Sequence, residues 1–301
     1  MKKIIVFMLF SSVLFSLSGC STTRMENEIA FYDYSEMVFP LVQLSDISET
    51  DGKHPIAVIE TSLGVIKIVL FPEYAPNTVG NFVRASLAGF YDDTEILRIQ
   101  KQKKNPVFFQ AGLESERDNK GNVRYDVRRD DNGYAVQSDN EYSVNMWPFK
   151  GALGAYSDRK GVSDSRFFVV NNLPLTDEQY TEMREKLLNA DGELLLPEKF
   201  VDAFEKQGGA ITLSGFYTIF GQTIEGYDVI DKICESKTDK NFFPEEDIKI
   251  ISVTIKNINE DDYKEEDDEN EDDDENNEND EEIDKNKETE TENNDDINQN
   301  F

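Results

Sequence analysis

Between Ile56 and Phe71 the chain alternates in character. Two β-rich runs, Ile56 to Thr61 and Val65 to Phe71, flank a Leu63-Gly64 turn and predict a hairpin. In the second run Ile66, Ile68 and Leu70 interleave with Lys67 and Val69, so one face is apolar throughout. The period then lengthens. In "PEYAPNTVGNFVRASLAGFY" the residues Val79, Phe82, Val83 and Leu87 recur at three and four, with Pro76 and Asn77 suited to a helix start and Gly89 to its end. Strand character returns around "TEILRI", in "NPVFFQAGL", and in "GALGAY" and "SRFFVV". Between them, "ESERDNKGNVRYDVRRDDNG" has no sustained period and predicts an exposed loop.

Residues 176–209 break the strand pattern. "TDEQYTEMREKLLNA" offers a Thr cap followed by acids, and "LPEKFVDAFEKQGG" opens on Pro and stops at paired glycines, so a helical hairpin inserted between strands is expected. "TIFGQTIEGYDVIDKI" then predicts a strand and a short helix, and "DIKIISVTIKNI" a last strand. A β-rich chain with two short core helices near its ends favours a mainly β fold, a closed antiparallel barrel plugged by helices, over a parallel doubly wound sheet.

Charge adds the ends of the chain to this picture. The net charge is −31, and the stretch from Glu260 to Phe301 holds 23 acidic residues and three lysines. That tail has too few apolar residues to offset ordering entropy and is expected to be disordered; it contains no glycine, so no EF-hand loop is read in it. A strongly negative chain repels phosphate backbones, which argues against nucleic acid as a partner.

At the other end, Lys2 and Lys3 precede the apolar core "IIVFMLFSSVLFSL" and the stretch Leu17-Ser18-Gly19-Cys20. The apolar run is short for a membrane span and reads as a cleaved export signal. Its last four residues resemble the lipobox of bacterial lipoproteins, which implies lipidation of Cys20 and a membrane anchor of more than one acyl chain. A plain secretory signal that contains a cysteine is the alternative. The expected division is a signal peptide at 1–19, a tether at 20–52 whose patch "FYDYSEMVFPLVQL" packs weakly on the domain, a folded domain at 53–258 with its insert at 176–209, and the acidic tail at 259–301. Cys234 is the one other cysteine, so no disulfide is available once Cys20 is lipidated; its neighbours Val229, Ile230 and Ile233 mark it as a buried structural thiol.

Several segments coincide in order and spacing: "GVIKIVLFPEYAPNTVGNFVRASLAGFYDDTEILRI", "NPVFFQAG", "GALGAYSDRKGVSDSRFFVV" and "GFYTIFGQTIEGYDVIDKI". Together they resemble the cyclophilins, the eight-stranded barrel family of peptidyl-prolyl cis-trans isomerases, over about Ile56 to Ile255, which implies a closed eight-stranded antiparallel barrel capped by two helices. The resemblance implies a catalytic role for Arg98 in "ILRI", whose guanidinium would reach the prolyl amide. It implies that Gln110 hydrogen-bonds the substrate backbone and that Phe168 forms the floor of the proline pocket. Alternation turns Phe167 to the opposite face, into the core. By the same likeness Leu213 lines the pocket, Val107 or Phe108 supplies a further pocket wall, Tyr217 stands where the family has a histidine, and Tyr156 and Ser157 present backbone groups to the substrate. A peptide bound there as an extra strand would be held by main-chain hydrogen bonds.

The chemistry fits such a set. Rotating an X-Pro amide faces a barrier of about 18–20 kcal/mol because the C–N bond has partial double-bond character. Lowering it takes a donor for the nitrogen lone pair of the twisted amide, an apolar slot and backbone anchors; neither cofactor nor metal is implied. The chain departs from the family in Leu97 for a histidine, in the "QKQKK" insert, in "QAGL" for "QGGD", in Arg166 for a glutamine, and in Thr212 where many members have tryptophan. Weak or selective activity, and poor binding of cyclosporin-type macrocycles, are the expected consequences. The insert is expected beside the groove, where it would restrict which chains enter. The sole Trp147 and His54 read as structural.

The resulting expectation is a monomeric isomerase, lipid-anchored at the outer face of a bacterial membrane, acting on proline-containing segments of exported proteins. Its alternative is a weak or inactive surface binder on the same fold. A two-lobed solute-binding lipoprotein is disfavoured by the strand-rich order.

Overall fold

The alternating runs at the start of the domain form the expected hairpin. β1 (Ile56–Thr61) and β2 (Gly64–Leu70) pair antiparallel, with Ile59 opposite Ile66 and Ala57 opposite Ile68. Gly64 takes a φ of 138° at the turn, a conformation L side chains rarely adopt. The computed structural model describes residues 42–44, 47, 52–102, 104–117, 123–143, 145–156, 158–159, 161–186 and 198–264. The stretch expected to be a signal peptide, Cys20, most of the expected tether, Ser157 and the acidic residues beyond Lys264 lie outside the described residues.

The remaining elements follow in order: α1 (Pro76–Leu87), β3 (Arg98–Gln102), β4 (Asn105–Ala111), β5 (Glu114–Arg117), β6 (Val123–Asp126), β7 (Ser138–Asp139), β8 (Ala152–Ala155), β9 (Val162–Ser163) and β10 (Phe167–Val170). Then come α2 (Asp177–Lys186), α3 (Glu198–Gln207), β11 (Ile219–Glu225), α4 (Tyr227–Glu235) and β12 (Ile250–Lys256). The helical hairpin of the insert is therefore present as α2 and α3. The stretch expected to be an irregular loop instead contains the β5/β6 ribbon, with Glu114 opposite Asp126 and Arg117 opposite Val123.

Eight strands form one curled antiparallel sheet in the order β12-β1-β2-β11-β8-β10-β4-β3. The expected closed barrel is corrected by this order, because the ladder has two ends and β3 does not pair with β12. What spans the seam is a short bridge just before β3: Ile96 N–H donates to Ile248 O and Ile250 N–H to Thr94 O, both at 2.8 Å, around the Glu95–Lys249 bridge. The sheet is thus a half-barrel whose open edges are stitched at one point.

The concave interior holds the main core. Ile66, Ile68 and Leu70 from β2 meet Phe109 and Ala111 from β4, Phe167 and Val169 from β10, and the apolar faces of α1 and α4. Val79, Phe82 and Val83 are buried as the helical period requires, whereas Leu87 is exposed. Cys234 lies in this cluster, and burial pushes its thiol up to about 12. The first turn of α1 has no side-chain cap of its own. Its free donors are met from a distant loop: Glu141 Oε1 accepts from Asn77 N–H and Oε2 from Thr78 N–H, at 3.1 and 2.8 Å.

The insert packs on a cluster of its own, with Trp147 against Phe200 at 4.8 Å between ring centroids and Phe149 against Phe204 at 4.4 Å. Trp147 is structural, as expected. The tether differs from expectation at residues 42–44, which form a 3-10 turn. Gln43 is buried, accepts from Trp147 N–H at 2.7 Å and donates to Trp147 O and Gln222 Oε1 at 2.8 and 3.1 Å. Within the stretch from 259, a 3-10 turn at Glu260–Tyr263 brings Tyr263 against the main core.

Candidate active site

Register decides which side chains share a face. Arg98 at the start of β3 is directly opposite Gln110 of β4, Gln110 is opposite Phe168 of β10, and Phe168 is opposite Gly154 of β8. Residues directly opposite in an antiparallel sheet project to the same side. Arg98, Gln110 and Phe168 therefore stand in one row across three adjacent strands, which spans about 10 Å at the usual strand spacing. Phe167 projects the other way, into the main core.

The row faces a second apolar cluster on the outer side of the sheet. Phe168 has no exposed surface; its ring lies 5.0 Å from Phe108 and 5.1 Å edge-on from Tyr217, between ring centroids. Phe108 lies two residues from Gln110, on the same face, so it is the β4 residue whose ring meets Phe168. Val107 is also buried in this cluster, and Leu213, on the 3-10 turn Ile211–Leu213, packs against it. Gly154 explains how Phe168 fits: a Cβ there would stand 2.1 Å from the tip of the ring, so the ring occupies the space a side chain would need. Sequence reasoning passed over Gly154 within "GALGAY", although an isolated glycine in a strand is a signal of close approach.

The neighbourhood of Phe168 is aromatic and charged on one side. Tyr156 stacks on Tyr217 at 5.7 Å, and the Arg166 guanidinium lies 5.0 Å over the Tyr156 ring. Arg166 pairs with Asp158 and Asp164, each at 2.7 Å. Burial works against its charge, but the hydrogen bonds it donates to Asp164 and Asp158 outweigh that and raise its pKa. Burial also pushes the Tyr217 phenol up to about 12, with Tyr156 and Asp158 adding to the shift. Tyr156 is raised by burial and by Asp158, while Arg166 and Arg98 pull it down, so the Arg98 charge reaches this rim.

The Tyr156 backbone is engaged within the protein: its N–H donates to Arg166 O at 3.0 Å and its carbonyl accepts from Asp164 N–H at 3.1 Å, while its ring stacks on Tyr217. Arg98 has the opposite condition. Its guanidinium makes no hydrogen bond or ion pair to any described residue, its Nε is buried without a partner, and the Phe242 ring lies 5.7 Å from it. No sequence signal marked Phe242. The insert is rooted in the Phe168 cluster, to which Leu173 before it and Ala210 after it belong.

Residues 56–255 match the family described as cyclophilin type peptidyl-prolyl cis-trans isomerase/CLD. A Staphylococcus aureus protein named "Putative peptidyl-prolyl cis-trans isomerase" is 28% identical over 199 residues, covering 66% of this chain and 90% of its own. A Staphylococcus epidermidis protein of the same name is 29% identical over the same span. Among solved structures, a Cryptosporidium parvum cyclophilin type isomerase determined in the presence of the dipeptide Ala-Pro aligns at a TM-score of 0.44 and 19% identity, over 66% of this chain and 98% of that one. With the family pattern matched across two thirds of its length, this chain belongs to the cyclophilin-type peptidyl-prolyl cis-trans isomerases.

Proposed function

We propose that the isomerase reaction is carried by the row Arg98, Gln110 and Phe168, and that the enzyme works on proline-containing segments of exported proteins at the outer face of a membrane, held there by a lipid on Cys20. The single observation that carries the catalytic part is the register across β3, β4 and β10, which sets a cation, an amide and an aromatic ring side by side on one face. The proline ring packs toward Phe168 and Phe108, with Leu213 and Tyr217 as walls. Gln110 anchors the flanking backbone. The Arg98 guanidinium donates to the prolyl nitrogen, whose lone pair is freed as the amide twists out of conjugation. No covalent bond is made or broken, so the catalytic task is to position the amide and stabilise that rotated state.

Arg98 suits the task because no carboxylate among the described residues neutralises it, and its donors remain for substrate. Phe168 has no exposed surface, so the proline ring reaches it only when Tyr217 or Leu213 turns aside. That step slows entry and favours a selective enzyme over a fast, general one.

The test is cis-trans exchange of an Ala-Pro peptide, followed by NMR at micromolar protein. Wild type should accelerate exchange, and Arg98→Ala should lose most of that acceleration. Equal rates in the two proteins would remove Arg98 from the mechanism. For the anchor, metabolic labelling with a fatty acid should mark the intact protein and leave Cys20→Ser unmarked; label retained in the variant would refute lipidation at that residue.

A further inference from the structure

The loop between α4 and β12 runs along the outer edge of β3 and is fastened to it at one aromatic residue, Phe242, and at two residues before it. Ile99, the residue after Arg98, donates its N–H to Phe242 O at 2.9 Å. Lys101 Nζ donates to Ser236 O and Thr238 Oγ1, at 3.3 and 3.1 Å. Within the loop, Asp239 accepts from Phe242 N–H through its carbonyl and from Asn241 and Phe243 N–H through its carboxylate. This turn puts Phe242 at a φ of 71°, a region that disfavours a bulky side chain. Glycine would relieve that conformation, yet a phenylalanine occupies it, half-buried, with its ring beside the Arg98 guanidinium.

We propose that Phe242 is a positioning residue: the face of its ring seats the Arg98 guanidinium and aims it at the groove. The need for such a seat follows from the surroundings of Arg98. A carboxylate in that place would orient the guanidinium and also occupy its donors and offset its charge. An aromatic face orients the plane by cation–π attraction and leaves every N–H available. The buried Nε without a partner is what a guanidinium held by a ring, and not by hydrogen bonds, leaves behind. Conformational strain in the loop is thereby spent at the site where the rotating amide is gripped. The inference rests on the reading of Arg98 as the group that contacts the prolyl nitrogen.

The experiment uses the full chain and the Ala-Pro exchange assay on wild type, Arg98→Ala, Phe242→Leu, Phe242→Tyr, Phe242→Gly and the double variant Arg98→Ala/Phe242→Leu, each also followed through urea unfolding. Phe242→Leu and Phe242→Gly should both lower kcat/KM about tenfold, mainly through kcat, as expected for the loss of one cation–π contact. Their unfolding midpoints should differ, because only glycine sheds the left-handed strain. Phe242→Tyr should return to within about twofold of wild type, since its ring keeps the same face. The double variant should match Arg98→Ala alone. In the NMR spectrum the Arg98 Nε–H should carry a ring-current shift that Phe242→Leu removes and Phe242→Tyr keeps.

Wild-type rates in Phe242→Leu and Phe242→Gly, with Arg98→Ala impaired, would overturn the positioning role and leave the catalytic reading intact. A double variant slower than Arg98→Ala by the same tenfold would show that Phe242 acts other than through Arg98, and would also overturn it. An unimpaired Arg98→Ala would defeat both readings together.

Discussion

Gly154→Ala asks whether the Phe168 ring sits where the register puts it. The added methyl would stand 2.1, 2.5 and 2.7 Å from three ring atoms, well inside van der Waals contact. Gly154 does not need a left-handed backbone, so alanine is opposed by the ring and not by its own conformation. The ring must back off by roughly an ångström, yet Phe108 and Tyr217 flank it at 5.0 and 5.1 Å and no surface of it is free. Overpacking of this kind costs about 1–3 kcal/mol, and the rigid surroundings put the expected loss near the upper end. A displacement of about 1 Å in a positioning group costs about 100-fold in rate, so kcat/KM should fall by that order. Urea unfolding and the Ala-Pro exchange assay read the two effects. A double-mutant cycle with Phe168→Ala makes the reasoning strict. Phe168→Ala alone should cost about 3–5 kcal/mol, and adding Gly154→Ala to it should cost almost nothing, because the clash has been removed. Additive losses in the cycle, or a Gly154→Ala protein with wild-type midpoint and rate, would refute the placement of the ring.

Three further outcomes follow from the packing. Glu141→Ala removes the carboxylate from the first turn of α1 and should cost about 1 kcal/mol, which a thermal melt would record as a fall of a few degrees; an unchanged melt would mean the cap is without energetic weight. Gln43→Ala deletes three buried hydrogen bonds at about 1 kcal/mol each, so denaturant stability should drop by about 2–3 kcal/mol, against no change if residues 42–44 pack only loosely. In a Cys20→Ser background the Cys234 thiol should resist a thiol reagent until the protein unfolds, and because its pKa rises from 9.0 to about 12, folding should weaken as the pH climbs through that interval. Prompt labelling of the native protein would contradict its burial.

Much of this fold is written in local periodicity. The alternation of Ile66, Ile68 and Leu70 marks an inward face, the spacing of Val79, Phe82 and Val83 marks a helix, and the caps at Thr176 and Pro197 mark the insert. The split between Phe167 and Phe168 follows from alternation alone. The β5/β6 ribbon escaped notice because its charged residues give no apolar period. Closure of the sheet is not legible in the sequence, since whether β3 meets β12 depends on contacts between residues about 150 positions apart and not on either strand's composition. Tyr156, Gly154 and Phe242 show the same limit within the site. A residue's chain neighbours do not reveal that its amide is already engaged, that a ring lies on its Cα, or that it abuts a guanidinium from another loop.

The row of functional side chains hangs from backbone rungs, so their spacing is fixed by peptide geometry and not by the residues around the mouth. Such a mounting separates what the catalyst needs from what the client sees. On the proposed reading of the row, changes at Tyr156, Arg166 or Tyr217 would alter which prolines are admitted and leave the lever that turns them in place, and a library randomised at those three positions would test this by yielding isomerases with new preferences on an unaltered frame.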